Sequence, residues 1–270
     1  MDALFVPDPY VPQPTLVEFE LDRVAVVALL ASRLLMESGA AANVVHEECY
    51  RIAHGLGAER VDLESGYVTL EITVAKGVSR VTRITEVGPH GVDYRLSHEV
   101  RILAKRISDG GLTPAEVMSE LTRLKQSTGR HASWVVALAV GIACASFGRL
   151  LGMSWSAFVP VAASGAVGQW VRHLLLRRGT NLFVVICFVA LLASGLAGLG
   201  ARLVGSTTVD LAMLSSILLL VPGVPLLDGQ QDIVQGYPML GTARVVTCSM
   251  MLICMATGVL IARTLLGVRQ

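Results

Sequence analysis

Residues 179–201, GTNLFVVICFVALLASGLAGLGA, contain no charged side chain. A helix over this stretch would be about 35 Å long at about 1.5 Å per residue, enough to cross the roughly 30 Å hydrocarbon core of a bilayer. Because a charge at the centre of a bilayer is costly, an uncharged stretch of this length indicates a transmembrane helix. The stretch therefore places the protein among the helical membrane proteins.

Four further uncharged stretches of similar length flank it, at 131–148, 150–171, 211–227 and 245–262. Only Arg149 separates the first two, but a single helix across both would be about 60 Å long, so the chain must turn near Gly152. The sequence therefore predicts five transmembrane helices, near 133–151, 155–172, 181–201, 210–227 and 243–263. We expect close helix packing where small residues crowd these spans.

The remaining charges are concentrated in the first half of the chain. Residues 1–132 hold 14 of the 22 Lys and Arg residues and 18 of the 21 Asp and Glu residues. The mean hydropathy of +0.61 is thus an average over two unlike regions. The net charge of +1 gives no support to a nucleic-acid partner, which would call for a basic face.

The first 18 residues carry acidic side chains and prolines and lack the features of a secretory signal. We expect a disordered lead-in at 1–18, a cytosolic α+β domain at 19–130 and a membrane domain at 131–270. The cytosolic domain reads as α-α-β-β-β-α-α, because apolar residues recur at helical spacing at both of its ends and alternate in its middle. Its strands are expected at 60–65, 67–75 and 78–87, and its last helix begins with a capping box at Thr113 and Glu116.

Motifs for catalysis and cofactors are not apparent in the sequence. Residues 46–50, HEECY, resemble the helix of a zinc protease, but Tyr50 stands where the second histidine is needed. His46, Cys49 and His54 could share a metal, although surface histidines on helices are far commoner. No Walker loop, dinucleotide fingerprint or nucleophile elbow occurs. The sequence therefore predicts neither an enzyme nor a cofactor or metal site.

The fourth predicted span contains an irregularity within residues 214–232, LSSILLLVPGVPLLDGQQD. Pro222, Gly223 and Pro225 should break the helix. Pro222 lies about 16 Å from the start of the span, close to the bilayer midplane. Broken helices at this depth often form substrate sites in transporters, and the alternative is a simple proline kink absorbed by neighbouring helices.

Charged residues follow this break. A carboxylate and an arginine could bind the two ionic groups of an amino acid, or an aspartate could couple transport to protons. The alternative is that these charges belong to a solvated interfacial loop. The candidate substrate-binding or gating residues are Pro222, Gly223, Asp228, Asp232, Gly241 and Arg244.

Three runs of the sequence resemble the threonine/serine exporter family of bacterial inner-membrane proteins. They are LLMESGAAANVVHEECYRIAHGLG, VGPHGVDYRLSHEVRILAKRISDGGLTPAEVMSEL and LLLVPGVPLLDGQQDIVQGYPMLGTAR. The resemblance covers about residues 20 to 265. It places the family's proline-glycine break on Pro222 and Gly223, its aspartate on Asp232, and its glycine-arginine element on Gly241 and Arg244.

The resemblance implies a cytosolic domain followed by five spans, and efflux of threonine and serine or, in split systems, of succinate. A chain ending at residue 270 is similar to the larger subunit of a split system, which implies a small multi-span membrane partner. We therefore expect a secondary exporter working by alternating access around the broken fourth span, with its amino terminus in the cytosol and with a homo-oligomer possible. The alternatives are a succinate exporter subunit, a membrane-anchored ligand sensor and a passive channel.

Overall fold

The computed structural model describes residues 15–127 and 132–268, so most of the expected lead-in and of the linker near residue 130 lies outside the described residues. The described residues form two compact units. The first combines residues 15–127 with Asp228–Gly241, and the second combines residues 132–227 with residues 242–268. A short segment of the expected membrane domain thus belongs to the first unit.

The first unit has the expected α-α-β-β-β-α-α order. Its elements are α1 (Leu16–Glu37), α2 (Ala42–Gly55), β1 (Arg60–Ser65), β2 (Thr69–Lys76), β3 (Ser79–Glu86), α3 (Tyr94–Ser108) and α4 (Pro114–Ser127). The strands form an antiparallel sheet in the order β1-β2-β3. Val61 pairs with Val74, which pairs in turn with Val81.

Alternation along β2 builds the core of this unit. Leu70, Ile72 and Val74 are fully buried on one face of the strand, as the sequence pattern predicts. Helix α1 packs against β2 and β3 and contributes Leu34 and Leu35, both buried, to the same core.

Helix α1 begins three residues earlier than expected. Thr15 caps it with a capping box, in which the Thr15 hydroxyl accepts the Glu18 N–H at 3.2 Å and the Glu18 carboxylate accepts the Thr15 N–H at 2.7 Å. Residues 16–18, expected in the lead-in, are therefore helical because this box satisfies the free N–H groups of the first turn.

The second unit and the segment that joins the first are helical. The elements are α5 (Ser133–Leu150), a 3₁₀ turn (Trp155–Ala157), α6 (Phe158–Arg177), α7 (Leu182–Leu203), α8 (Val209–Ser216), a second 3₁₀ turn (Leu218–Leu220), α9 (Gly223–Val234) and α10 (Pro238–Leu266). The expected turn after α5 is confirmed, with Gly152 at a φ of 95°.

Small residues allow the helices of the second unit to approach closely. A Cβ at Gly141 of α5 would overlap the Ala162 carbonyl oxygen of α6. A Cβ at Gly168 of α6 would lie 3.2 Å from the Ala193 Cβ of α7. These glycines therefore place α5, α6 and α7 side by side.

Three helices among the described residues are long and apolar enough to cross a membrane: Ser133–Leu150, Leu182–Leu203 and Pro238–Leu266. The bent pair Val209–Leu220 and Gly223–Val234 raises the number to four if it is one span. Helix α6, expected to be the second span, is less hydrophobic than these three helices because it carries Gln169, Arg172 and His173. The structure thus supports a helical membrane protein but leaves five spans as a prediction.

Candidate functional site

The expected break in the fourth span is present, but it begins earlier than Pro222. Helix α8 ends at Ser216, the 3₁₀ turn follows, and Val221 has an extended conformation with φ −63° and ψ 103°. The axis then turns by 61° into α9. Pro225 does not disrupt a helix as expected, because it lies in the first turn of α9, where an N–H has no intrahelical partner.

A tight turn joins α9 to α10. Gly236, at a φ of 91°, donates its N–H to the Ile233 carbonyl, and Tyr237 donates its N–H to the Asp232 carbonyl at 2.8 Å. These are the two hydrogen bonds of a Schellman motif. The turn fixes Tyr237 one position before α10 begins.

The two helices beside this turn are in close contact. A Cβ at Gly241 of α10 would lie 2.6 Å from the Gly229 carbonyl oxygen and 2.9 Å from the Ile233 nitrogen of α9. Gly229 and Gly241 are both buried. Gly241, a candidate from the sequence, is therefore the point where backbone of α10 approaches backbone of α9. We call residues Asp228–Gly241 the hairpin segment.

Asp232 connects the hairpin segment to α2. Its side chain is fully buried, and Oδ1 accepts the N–H of Ala42, the first residue of α2, at 2.8 Å. The N-cap residue of α2 is Ala41, which has no side-chain oxygen to offer. Asp232 supplies that oxygen from 190 residues away, at the helix end where the macrodipole favours a negative charge.

The corner before α2 is held firmly. Gly39 has a φ of 83°, and a Cβ there would lie 2.5 Å from the Gly91 carbonyl oxygen. The N–H of Gly91 donates to the Glu37 carbonyl, and the Glu37 carboxylate accepts the N–H of Gly88 at 2.8 Å. Burial tends to raise the pKa of Glu37, but its bonds with Arg33 and Gly88 outweigh burial and lower that pKa. The N–H that Asp232 binds is therefore in a fixed position.

An aromatic cluster and one leucine complete the contact. The rings of Tyr237 and His46 lie 4.6 Å apart between centroids, and the His46 Nε2 is 3.0 Å from the Ser65 hydroxyl. Burial lowers the pKa of His46 and raises that of the neighbouring Tyr50. Leu240 is 1% exposed and belongs to the hydrophobic core of the first unit. The hairpin segment is thus part of that core.

The six residues named from the sequence fall in both units. Asp228, Asp232 and Gly241 lie in the hairpin segment of the first unit. Pro222 and Gly223, at the break, and Arg244, 5% exposed on α10, lie in the second unit.

Sequence reasoning missed Tyr237 and Leu240 of the hairpin segment and its partners Ala42 and His46. The available signal was weak, namely an alanine-rich corner before α2 with no capping side chain. Leu240 stands beside a predicted span, where a leucine is expected to face lipid.

The residues considered for a metal have separate partners. His54 Nδ1 lies 2.8 Å from the Ala58 carbonyl oxygen, and burial raises the pKa of Cys49 to about 11 despite its hydrogen bond with Ser32. Within residues 15–127 and 132–268, no group of three His, Cys, Asp or Glu side chains is arranged to hold a metal ion.

Comparison with known proteins identifies relatives over most of the chain. The family model described as "Putative threonine/serine exporter" matches residues 26–266. Relatives from Klebsiella aerogenes and Escherichia coli, each named "Probable succinate transporter subunit YjjP", are 28% identical over 236 residues, which cover 87% of this chain and 91% of theirs. A "Probable threonine/serine exporter" of Mycobacterium tuberculosis is 24% identical over 202 residues, which cover 75% of this chain and 38% of that protein. No solved structure matches significantly.

Proposed function

The chain belongs to the threonine/serine exporter family, and from this we propose that it is a secondary transporter that exports a small carboxylate-bearing solute from the bacterial cytoplasm. The observation that carries the proposal is the broken span, in which α8 and α9 meet at 61°. Non-helical backbone within a membrane is tolerated where protein buries it or water reaches it, as in the substrate sites of transporters.

The transport cycle proposed here is alternating access around the break. Pro222 and Gly223 form the flexible connection between α8 and α9, and both are only partly buried. Gly223 has open space where a Cβ would lie, so its backbone can adjust without a steric clash. Asp228, Asp232, Gly241 and Arg244 are the other candidate residues for substrate binding or gating.

Asp232 fits a gating role better than a direct contact with solute. One of its carboxylate oxygens already binds the N–H of Ala42, and its backbone carbonyl binds the N–H of Tyr237. Helix α2 therefore holds the α9–α10 turn through Asp232, and release of this contact frees the turn to move. The proposed cytosolic domain therefore acts in gating.

Two classes of solute follow from the relatives. The names of the relatives support threonine and serine in one case and succinate in the other. Coverage favours a C4 dicarboxylate, because the matched region makes up 91% of the succinate transporter subunit but 38% of the threonine/serine exporter. Both classes share a carboxylate.

The word "subunit" in the names of two relatives supports a membrane partner for this chain. We place the complex in the bacterial inner membrane, with the amino terminus in the cytosol and five spans. The family consists of transporters rather than enzymes, and it gives no support to a ligand sensor.

Efflux from cells tests the proposal. Cells preloaded with labelled threonine, serine or succinate should lose at least one of them faster when they express this chain together with a candidate small subunit. Equal efflux from cells with the empty vector, for all three solutes, would contradict the proposal.

A second assay separates a coupled carrier from a passive channel. Proteoliposomes containing the complex are loaded with the exported solute, and a proton gradient is imposed and then collapsed. A coupled carrier accumulates solute against the solute's concentration gradient while the proton gradient lasts, and it loses this accumulation when the protons equilibrate. A channel never accumulates solute. Accumulation that never occurs would remove proton coupling from the proposal.

A further inference from the structure

Helix α6 carries a partly buried arginine that forms no ion pair among the described residues. Arg172 lies five residues before the end of the helix, and its Nε is buried without a hydrogen-bond partner. Across the part of the chain that the structure describes, Arg172 makes neither a hydrogen bond nor an ion pair. An arginine within a membrane-spanning helix is costly unless it reaches water or binds an anion, and such residues commonly mark a functional site.

The described residues of the second unit offer no free carboxylate for this arginine. Among its described residues, the acidic side chain is that of Asp210, which already pairs with Arg263 at 3.1 Å. Arg202 donates to the Leu266 carbonyl at 2.6 Å. The Nε of Arg149 is also buried without a hydrogen-bond partner, but its guanidinium lies 4.5 Å from the centroid of the Trp155 ring.

The position of Arg172 links it to the broken span. Gly168 lies one turn earlier on the same face of α6, and a Cβ there would be 3.5 Å from Leu219 in the 3₁₀ turn that precedes Pro222. The adjacent Val171 packs against the apolar cluster that contains Leu220. The face of α6 that carries Arg172 is therefore directed at α7 and at the irregular end of α8.

The neighbouring side chain helps to fix the rotation of α6. His173 Nε2 lies 2.9 Å from the Ser133 hydroxyl at the start of α5. Since consecutive helical residues are about 100° apart, this contact turns Arg172 away from Ser133.

We propose that Arg172 binds the carboxylate of the transported solute beside the break in the fourth span. The inference rests on the proposed export function and names the residue that recognises its substrate class. A guanidinium matches a carboxylate through two parallel hydrogen bonds, which an amino acid and a dicarboxylate can both accept. The competing explanation is an arginine that extends along the helix to reach water at the end of the span.

The test compares Arg172→Gln and Arg172→Lys with a matched control, Arg178→Gln, which changes an exposed arginine at the end of the same helix. The first readout is the KM for efflux of threonine, serine and succinate. Arg172→Gln should raise the KM for the exported solute about 30-fold or more, as expected for loss of one partner of a desolvated charge pair. Arg172→Lys should raise it less, and Arg178→Gln should leave it within about twofold of the unmodified chain.

Thermal unfolding of the purified protein is the second readout. Without solute, Arg172→Gln should unfold at the same temperature as the unmodified chain or higher, because it removes a partly buried charge that forms no ion pair with the described residues. With saturating solute, the unmodified chain should gain stability and Arg172→Gln should not. The monoamide of succinate or the amide of threonine should stabilise the unmodified chain less than the parent acid.

Several results would overturn the inference. An unchanged KM in Arg172→Gln would identify an arginine that reaches water, and a lower unfolding temperature or a failure to accumulate would identify a structural arginine. The failure of the export function is distinguishable: if the unmodified complex exports none of the solutes but one of them raises its unfolding temperature only when Arg172 is present, the binding inference stands and the proposed export function fails.

Discussion

Among the candidate residues, Asp232 differs most from a simple substrate ligand, because its carboxylate caps the start of α2. Replacing it with alanine removes both the hydrogen bond to the Ala42 N–H and the negative charge at the start of α2. Loss of such a cap costs about 0.5–2 kcal/mol. We expect Asp232→Ala to lower the unfolding temperature of the purified protein by several degrees, as measured by thermal unfolding.

A graded series separates the hydrogen bond from the charge. Asparagine is also a good N-cap, so Asp232→Asn should keep most of the stability and lose about 0.3–1 kcal/mol of helix-dipole interaction. Glu64→Gln, which neutralises an exposed carboxylate on β1, is the control and should have little effect. An Asp232→Ala variant as stable as the control would show that the cap contributes nothing.

His46 should make the stability of the first unit depend on pH. Burial against Tyr50 and Tyr237 holds the pKa of His46 below its ordinary value of about 6.5. The unfolded chain therefore binds more protons at pH values just below 6.5, and stability should fall as the pH is lowered through about 6.5. Unfolding temperatures measured between pH 7.5 and about 5 test this slope.

The matched variants are His46→Gln, which removes the titrating ring, and His98→Gln, which changes an exposed histidine on α3. The slope between neutral and mildly acidic pH should become flatter in His46→Gln and persist in His98→Gln. If both variants keep the original slope, other groups cause the acid sensitivity.

At the scale of elements, the pairing of α9 with α10 depends on a glycine. A Cβ added at Gly241 would lie 2.6 Å from the Gly229 carbonyl oxygen, so Gly241→Ala must push the two helices apart. Overpacking of this kind costs about 1–3 kcal/mol. We expect Gly241→Ala to lower the unfolding temperature and to reduce efflux, because α9 adjoins the break.

Gly195→Ala on α7 is the matched control, since nothing lies within 4 Å of its added Cβ. In a helix interior this change should be neutral or stabilising by up to about 1 kcal/mol. Equal losses of stability in the two variants would mean that the hairpin contact is not the cause.

Elements governed by local chemistry were predictable from the sequence. At Thr113, the expected capping box forms, with the Glu116 carboxylate accepting the Thr113 N–H at 2.8 Å. Strand β1 runs from Arg60 to Ser65 as expected, because alternation of apolar residues is a signal that the strand itself carries. The early start of α1 was missed although Thr15 and Glu18 have the spacing of a capping box, since the prolines before them suggested an irregular segment.

At the scale of the whole molecule, the division into units could not be predicted in full. The distribution of charged residues separates the two halves of the chain. By this criterion, however, Leu240 belongs to the membrane domain, just before the fifth predicted span. The structure places Leu240 in the hydrophobic core of the first unit and joins Asp232 to Ala42. Such contacts between residues far apart in the chain depend on complementary surfaces, which leave no periodic pattern in either segment.

Whether the protein has four or five spans depends on α6. Gln169, Arg172 and His173 keep α6 out of the clearly apolar helices. Arg177 and Arg178 at its end are nevertheless what the positive-inside rule expects on the cytosolic side. With α6 as a span, we expect five crossings and opposite locations for the two chain ends.

Reporter fusions after Gly152, Gly179 and Gln270 test this topology, because the first two follow turns at the two ends of α6. Alkaline phosphatase, active outside the cytoplasm, should be active after Gly152 and Gln270, and green fluorescent protein should fluoresce after Gly179. If α6 does not cross, the Gly179 fusion changes to the outer side and the Gln270 fusion to the inner side. A fusion after Gly205 controls for local insertion effects, since it too must change sides when α6 is not a span.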